Sequence, residues 1–294
     1  FNTSLEESLY ADEVEKSVYL NLITTVKKNL PILFDYYQMK KKVLGLDELH
    51  LYDIYVPIVK ESKGEYLYSD ACNIVKEALK ILGSDYSNNL NKAFTEGWID
   101  VYPNRGKKSG AYSWGCYDTK PYVLLNYSNK LDDVSTLAHE LGHSMHSYYT
   151  INNNPYVTGD YRIFVAEVAS TVNEMLLNHY LLNTMEDKNE RLVILNNMLE
   201  LFKGTIFRQT MFAEFEMRIH DLKEKGETLT SELLSKVYYD LNKEYFGPDV
   251  IVDEEIMYEW IRILHFYTPF YVYKYATGLS AACKIATDIL AGKE

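Results

Sequence analysis

The 294 residues are 47% hydrophobic and 24% charged, with no run of eighteen apolar residues, so the chain reads as a globular protein able to bury a sizeable core and not as a membrane protein. Thirty Lys and Arg against 42 Asp and Glu leave a net charge of −12, which argues against a nucleic-acid partner, because a phosphate-binding surface concentrates cations. Three widely spaced cysteines, Cys72, Cys116 and Cys283, form no C-x-x-C and fit a reducing compartment, which places the protein in the cytoplasm.

In chain order, the sequence opens on Phe1, not Met, and runs into a charged helical pattern with Ser4 and Glu7 spaced as a capping box, so it reads as a fragment that begins inside a longer chain. Apolar periodicity predicts helix over about 4 to 45 and shorter helices between 69 and 97, with Ser69 and Ser84 as N-caps and Gly83 as a stop. The texture then changes. Trp98–Tyr102, Ala111–Tyr117 and Tyr122–Tyr127, separated by Gly- and Pro-containing turns, predict a small β-sheet. Helical patterns return over roughly 132–150, 161–182, 190–224, 230–246, 253–264 and 269–291, with Thr268 and Pro269 as N-cap and first position of the last. The expected fold is mainly α, one extended region over 1–294 with a small sheet ahead of the helix predicted over 132–150.

The chemistry concentrates in His139-Glu140-Leu141-Gly142-His143. Residues i and i+4 of a helix share a face, so both imidazoles can reach one ion, while Glu140, about 100° round the turn, can take a proton from water beside it. A catalytic zinc ion takes three protein ligands and keeps one position open. His146 shares the face but lies a rise of roughly 10 Å from His139, too far for bonds near 2 Å. Glu167, in the apolar run Phe164–Ser170, is expensive to bury unpaired, and a cation would remove that cost; as a solvated residue it would join a polar stripe with Ser170, Glu174 and Asn178. The turn at Asn152–Pro155 and Gly159 allows the Glu167 helix to return beside the first, which ranks Glu167 ahead of Glu174. Glu174 remains as the fallback ligand or as a partner for a histidine.

At this point the sequence resembles the thimet oligopeptidase and oligoendopeptidase F group of zinc peptidases, most closely its oligoendopeptidase F branch. The resemblance covers Gly106–Tyr112, Leu137–Ser147, Phe164–Thr171, Phe207–Glu216 and His265–Gly278. It implies a single Zn2+ held by His139, His143 and Glu167, with Glu140 as general base, in a mainly helical fold enclosing a channel that admits short unstructured peptides. Family members are longer at the N-terminal side and slightly so at the C-terminal side. The family also uses a histidine and tyrosines from the last matched segment to stabilise the oxyanion, which points to His265, Tyr271 and Tyr275, with Tyr267 and Tyr273 as competitors among 27 tyrosines. The segment 106–115 reads as an edge strand that could hold a peptide by its backbone, or as an ordinary mobile hairpin. Two other function classes fit the same residues: a zinc carboxypeptidase on the same scaffold, and a non-catalytic helical scaffold with a vestigial metal site.

Overall fold

A computed structural model describes residues 1–293 of the chain. In order, its elements are α1 (Ser4–Ala11), α2 (Lys16–Lys28), α3 (Leu30–Leu44), β1 (Leu49–His50), α4 (Tyr68–Leu79), α5 (Ser84–Thr95), β2 (Ile99–Asp100), β3 (Tyr112–Trp114), β4 (Tyr122–Leu124), α6 (Leu131–Asn153), α7 (Ile163–Thr184), α8 (Lys188–Phe202), α9 (Arg208–Glu224), α10 (Ser231–Phe246), β5 (Val250–Ile251) and α11 (Tyr273–Leu290). The fold is mainly α, with the small sheet ahead of α6. By contact the chain divides into two compact units, one of Phe1–Lys60 with Asn197–Thr277, the other of Glu61–Asn196 with Gly278 onward.

In the first unit, α2, α3, α9 and α10 turn apolar faces inward, and large aromatic rings fill the space between them. Tyr19 meets Phe270 and Tyr273 at centroid distances of 6.0 and 5.1 Å, and Phe215 meets Tyr238 and Phe266 at 5.2 Å each. Between α8 and α9 the backbone widens into one π-helical turn, Lys203–Phe207, where the sequence predicts an uninterrupted helix. The predicted helix over 253–264 is instead a 3-10 run, Glu254–Arg262. Its three-residue repeat aligns Glu259 with Arg262, which pair, and the Glu259 carboxylate also accepts from Tyr238 and Arg208, each at 2.6 Å. A short parallel pairing of β1 with β5 has no signal in the sequence pattern.

The last helix starts four residues later than Pro269 suggests. Phe270 has φ +57°, which no right-handed helix accommodates, and its N–H donates to the buried Glu216 carboxyl at 2.9 Å and so is withdrawn from any helical ladder. Three caps also differ from expectation. Thr3, not Ser4, caps α1 by accepting from the Glu6 N–H; α4 begins at Tyr68, so Ser69 is internal; and Gly83, at φ +93°, takes both the stop and the cap position ahead of α5.

In the second unit, β4 is central, parallel to β2 and antiparallel to β3, with Ser113 opposite Val123. That leaves β3 as an edge. The sheet leads into α6, whose stripe Leu131, Val134, Leu137, Ala138, Leu141 and Met145 is buried, and α7 returns alongside it. Among the described residues no helix is long and apolar enough to cross a membrane.

Candidate metal centre

The site of the second unit lies on the facing sides of α6 and α7. His139 and His143 project from successive turns of α6, as their spacing dictates, and their Nε2 atoms lie 3.1 Å apart. Glu167 Oε2 of α7 lies 3.4 Å from each of them. Three donor atoms separated by 3.1–3.4 Å match the edge of a tetrahedron with bonds of about 2.0–2.1 Å, an edge of roughly 3.3 Å, which is the arrangement zinc takes from nitrogen and oxygen ligands. The residues present therefore fit that ion. Among the described residues these three form the group able to hold a metal, and the structure does not bring His146 into it.

The close approach of the two helices depends on Gly142. A Cβ there would lie 2.4 Å from Ser170 Cα and 2.8 Å from the Ala169 carbonyl oxygen, so backbone would have to move. Asn173, almost fully buried, ties the pair together by donating to the Ala138 carbonyl at 3.0 Å while accepting from Tyr86 at 3.0 Å. Neither role was read from the sequence. Gly142 carried a usable signal, since a glycine inside a helical pattern costs about 1 kcal/mol against alanine unless close packing needs it. Asn173 carried none.

Around the three donors the remaining polar groups orient them. Ser170 donates to Glu167 Oε2 at 3.1 Å, and Glu174 pairs with His139 Nδ1, opposite the nitrogen that faces Glu167. Glu174 thus sits on the far side of the imidazole, in the partner position and not the ligand position. Burial opposes a charge on His139, but Glu167 and Glu174 overcome it and raise the imidazole to about 10. Reciprocally, His139 and His143 hold the Glu167 carboxyl well below the ordinary range. The cluster is built to contain positive charge between carboxylates.

Glu140 is only 6% exposed, and its Oε2 has no hydrogen-bond partner in the chain. Burial pushes its carboxyl up from the ordinary range, against the pull of His139 and His143. It lines a cleft of about 620 Å³ together with His139, His143, Glu167, the whole of β3 and the residues on either side of it, Ala111 and Gly115. On β3, Ser113 faces inward to Ser144 at 2.8 Å, while Tyr112 and Trp114 are exposed. His146 packs its ring flat on Tyr161, 3.7 Å between centroids, and burial lowers its imidazole.

His265, Tyr271 and Tyr275 belong to the first unit and form one cluster there. His265 stacks on Tyr271 at 5.9 Å, Tyr271 meets Tyr275 edge-on at 5.5 Å, and Tyr275 Oη lies 3.3 Å from His265 Nε2. Tyr271 precedes α11, so it meets Tyr275 across an irregular turn, although the sequence predicts a helix from Pro269 that would hold both on one face. Of the competitors, Tyr267 is 80% exposed and Tyr273 fully buried.

The model of peptidase family M3 matches residues 1–294. Oligopeptidase PepF of Bacillus subtilis is 51% identical over 290 residues, covering 99% of this chain and 43% of its own length. A solved structure from Chlamydophila abortus superposes with a TM-score of 0.93 at 43% identity, over 100% of this chain and 49% of that one. Oligoendopeptidase-F from Enterococcus faecium gives 0.76 at 38%, over 99% and 45%. The chain spans about half the length of the relatives it matches.

Proposed function

This chain belongs to peptidase family M3, and we propose that it is the catalytic region of a cytoplasmic, zinc-dependent endopeptidase that hydrolyses short unstructured peptides. The observation that carries the reading is the triangle of His139, His143 and Glu167 donor atoms, 3.1–3.4 Å on a side, beside a buried Glu140 in one cleft. When bound, zinc would polarise the scissile carbonyl and lower the pKa of water toward about 7. The rest falls to the chain. An extended peptide lies along the free edge of β3, held by backbone hydrogen bonds that read no side chain, which suits substrates of varied sequence. Glu140 takes the proton of the attacking water and returns it to the leaving amine; its raised affinity for a proton serves both transfers. Ser170 and Glu174 fix Glu167 and His139 in place.

Donors for the developing oxyanion are assigned to His265, Tyr271 and Tyr275, on the resemblance of the His265–Gly278 segment and on the meeting of the three rings in one cluster. The three free cysteines support a reducing compartment. The test is zinc content and cleavage of a peptide blocked at both ends, for the chain and for Glu140→Gln. Retained zinc with cleavage reduced at least about a thousandfold supports the proposal. Equal cleavage by the variant removes Glu140 as base, and cleavage only of peptides with a free C-terminus makes the enzyme a carboxypeptidase.

A further inference from the structure

The first unit contains a cavity of about 360 Å³ that takes no part in the chemistry above. Its body is apolar, formed by Leu33 and Tyr37 of α3, Phe207 of the π-helical turn, Met211 of α9 and Phe246 of α10. Its charged lining is one-sided: Lys203, Arg208 and Arg262 against Glu200. The carboxylates within reach are already divided. Glu200 is shared by Lys203 and by Lys40 at 3.6 Å, and Glu259 by Arg262 and by Arg208 at 2.6 Å. Glu214, behind Tyr245, is taken by Lys27 at 2.9 Å and by Arg218. Around the cavity four cations, Lys40, Lys203, Arg208 and Arg262, thus share two carboxylates, Glu200 and Glu259, an excess of two positive charges in a chain of net charge −12.

A second observation concerns Gly204, in the π-helical turn Lys203–Phe207 that forms one wall. Nothing lies within 4 Å of where its Cβ would be, so no neighbour requires glycine there. Gly204 lines the cavity, at a kind of helical irregularity that recurs at functional sites.

We propose that this cavity binds a small amphipathic carboxylate, with an aromatic or branched apolar body against Tyr37, Phe207 and Phe246 and its negative charge facing Arg208 and Lys203. Arg208 and Arg262 divide one carboxylate, Glu259, so the Arg208 guanidinium and the Lys203 ammonium retain N–H groups able to make charge-assisted hydrogen bonds to a further carboxylate. Tyr55 stands at the cationic side: Arg208 donates to its hydroxyl at 3.4 Å and the Lys203 ammonium lies 5.7 Å from its ring. The site is independent of the peptidase reading.

The test is calorimetric titration of the 294-residue chain with 3-phenylpropionate after metal removal by chelation, so that the probe has no ion to bind. One molecule should bind per chain, with 3-phenylpropanamide at least tenfold weaker. Gly204→Leu should abolish binding with an unchanged or raised thermal midpoint, since leucine is a better helix former, and Lys203→Met should weaken it severalfold. Absence of saturable binding, equal binding of acid and amide, or unaltered binding by Gly204→Leu would each overturn the proposal. The acid–amide comparison needs no variant and so decides the matter if a substitution unfolds the chain.

Discussion

The α6–α7 pair and the segment from Glu254 to Tyr275 both carry residues assigned to the same chemistry, yet they are built on opposite principles. In the pair, every assigned residue sits on a regular helix, and the fixed period turns sequence spacing into spatial proximity: His139 and His143 meet because they are four apart. In the segment, the backbone passes through a 3-10 run, a second short 3-10 turn at Leu264–Tyr267 and a left-handed residue before α11 begins. Regularity lets a site be read; irregularity lets His265, which lies ahead of α11, converge with Tyr271 and Tyr275.

The largest effect should come from breaking the regular region at its closest contact. Gly142→Ala places a methyl group against the Ser170 backbone and must push α7 outward, carrying Glu167 from the two imidazoles. Overpacking of this kind costs about 1–3 kcal/mol of stability. Zinc content after gel filtration should fall well below one per chain and cleavage with it; full zinc occupancy would show that α7 is held by something other than this contact. In the irregular segment, Tyr275→Phe should leave zinc content and folding intact and reduce kcat by roughly a hundredfold, the usual cost of one oxyanion donor. An unchanged kcat would remove Tyr275 from the reaction.

A smaller effect separates ligand from partner. Glu174→Gln keeps the shape of the side chain but loses the charge that orients His139, and zinc affinity should drop by about ten- to a hundredfold in competition with a chromogenic chelator. A loss as complete as that of Glu167→Gln would make Glu174 a ligand after all.

How far the sequence could be read follows the same division. The helix–sheet–helix order, the meeting of His139 with His143 and the return of α7 beside α6 were legible because they rest on period, turn residues and the i, i+4 spacing. Gly142 was visible as a letter but its neighbour Ser170 was not, since helix separation is a tertiary quantity. Around 269, Thr-Pro is a sound helix start by local preference, and a single long-range bond from Phe270 to Glu216 overrides it. The π-helical turn between α8 and α9 escaped for a like reason, because its pattern of apolar residues remains helical.

The subtlest prediction concerns that overriding bond. Glu216 is 1% exposed, and burial raises its carboxyl to about 8 even though the Phe270 N–H favours the charged form. Its pKa in the unfolded chain is about 4.5, so between pH 4.5 and pH 8 the folded protein holds a proton on Glu216 that the unfolded chain has released. Stability from this group is therefore complete below pH 4.5 and is lost as the pH rises toward 8, at up to about 1.4 kcal/mol per pH unit. His220, beside Phe270, tilts the other way: burial lowers its imidazole, so its share of stability rises with pH until the unfolded histidine has lost its proton. Glu216→Gln removes the first contribution and keeps the second, while a side-chain amide oxygen can still accept from Phe270. Urea unfolding at pH 5, 6, 7 and 8 should show the gap between Glu216→Gln and the unaltered chain widening in the variant's favour as the pH rises. Parallel curves would mean that Glu216 is charged throughout, and the irregular segment would then be held by an ion and not by a neutral carboxyl.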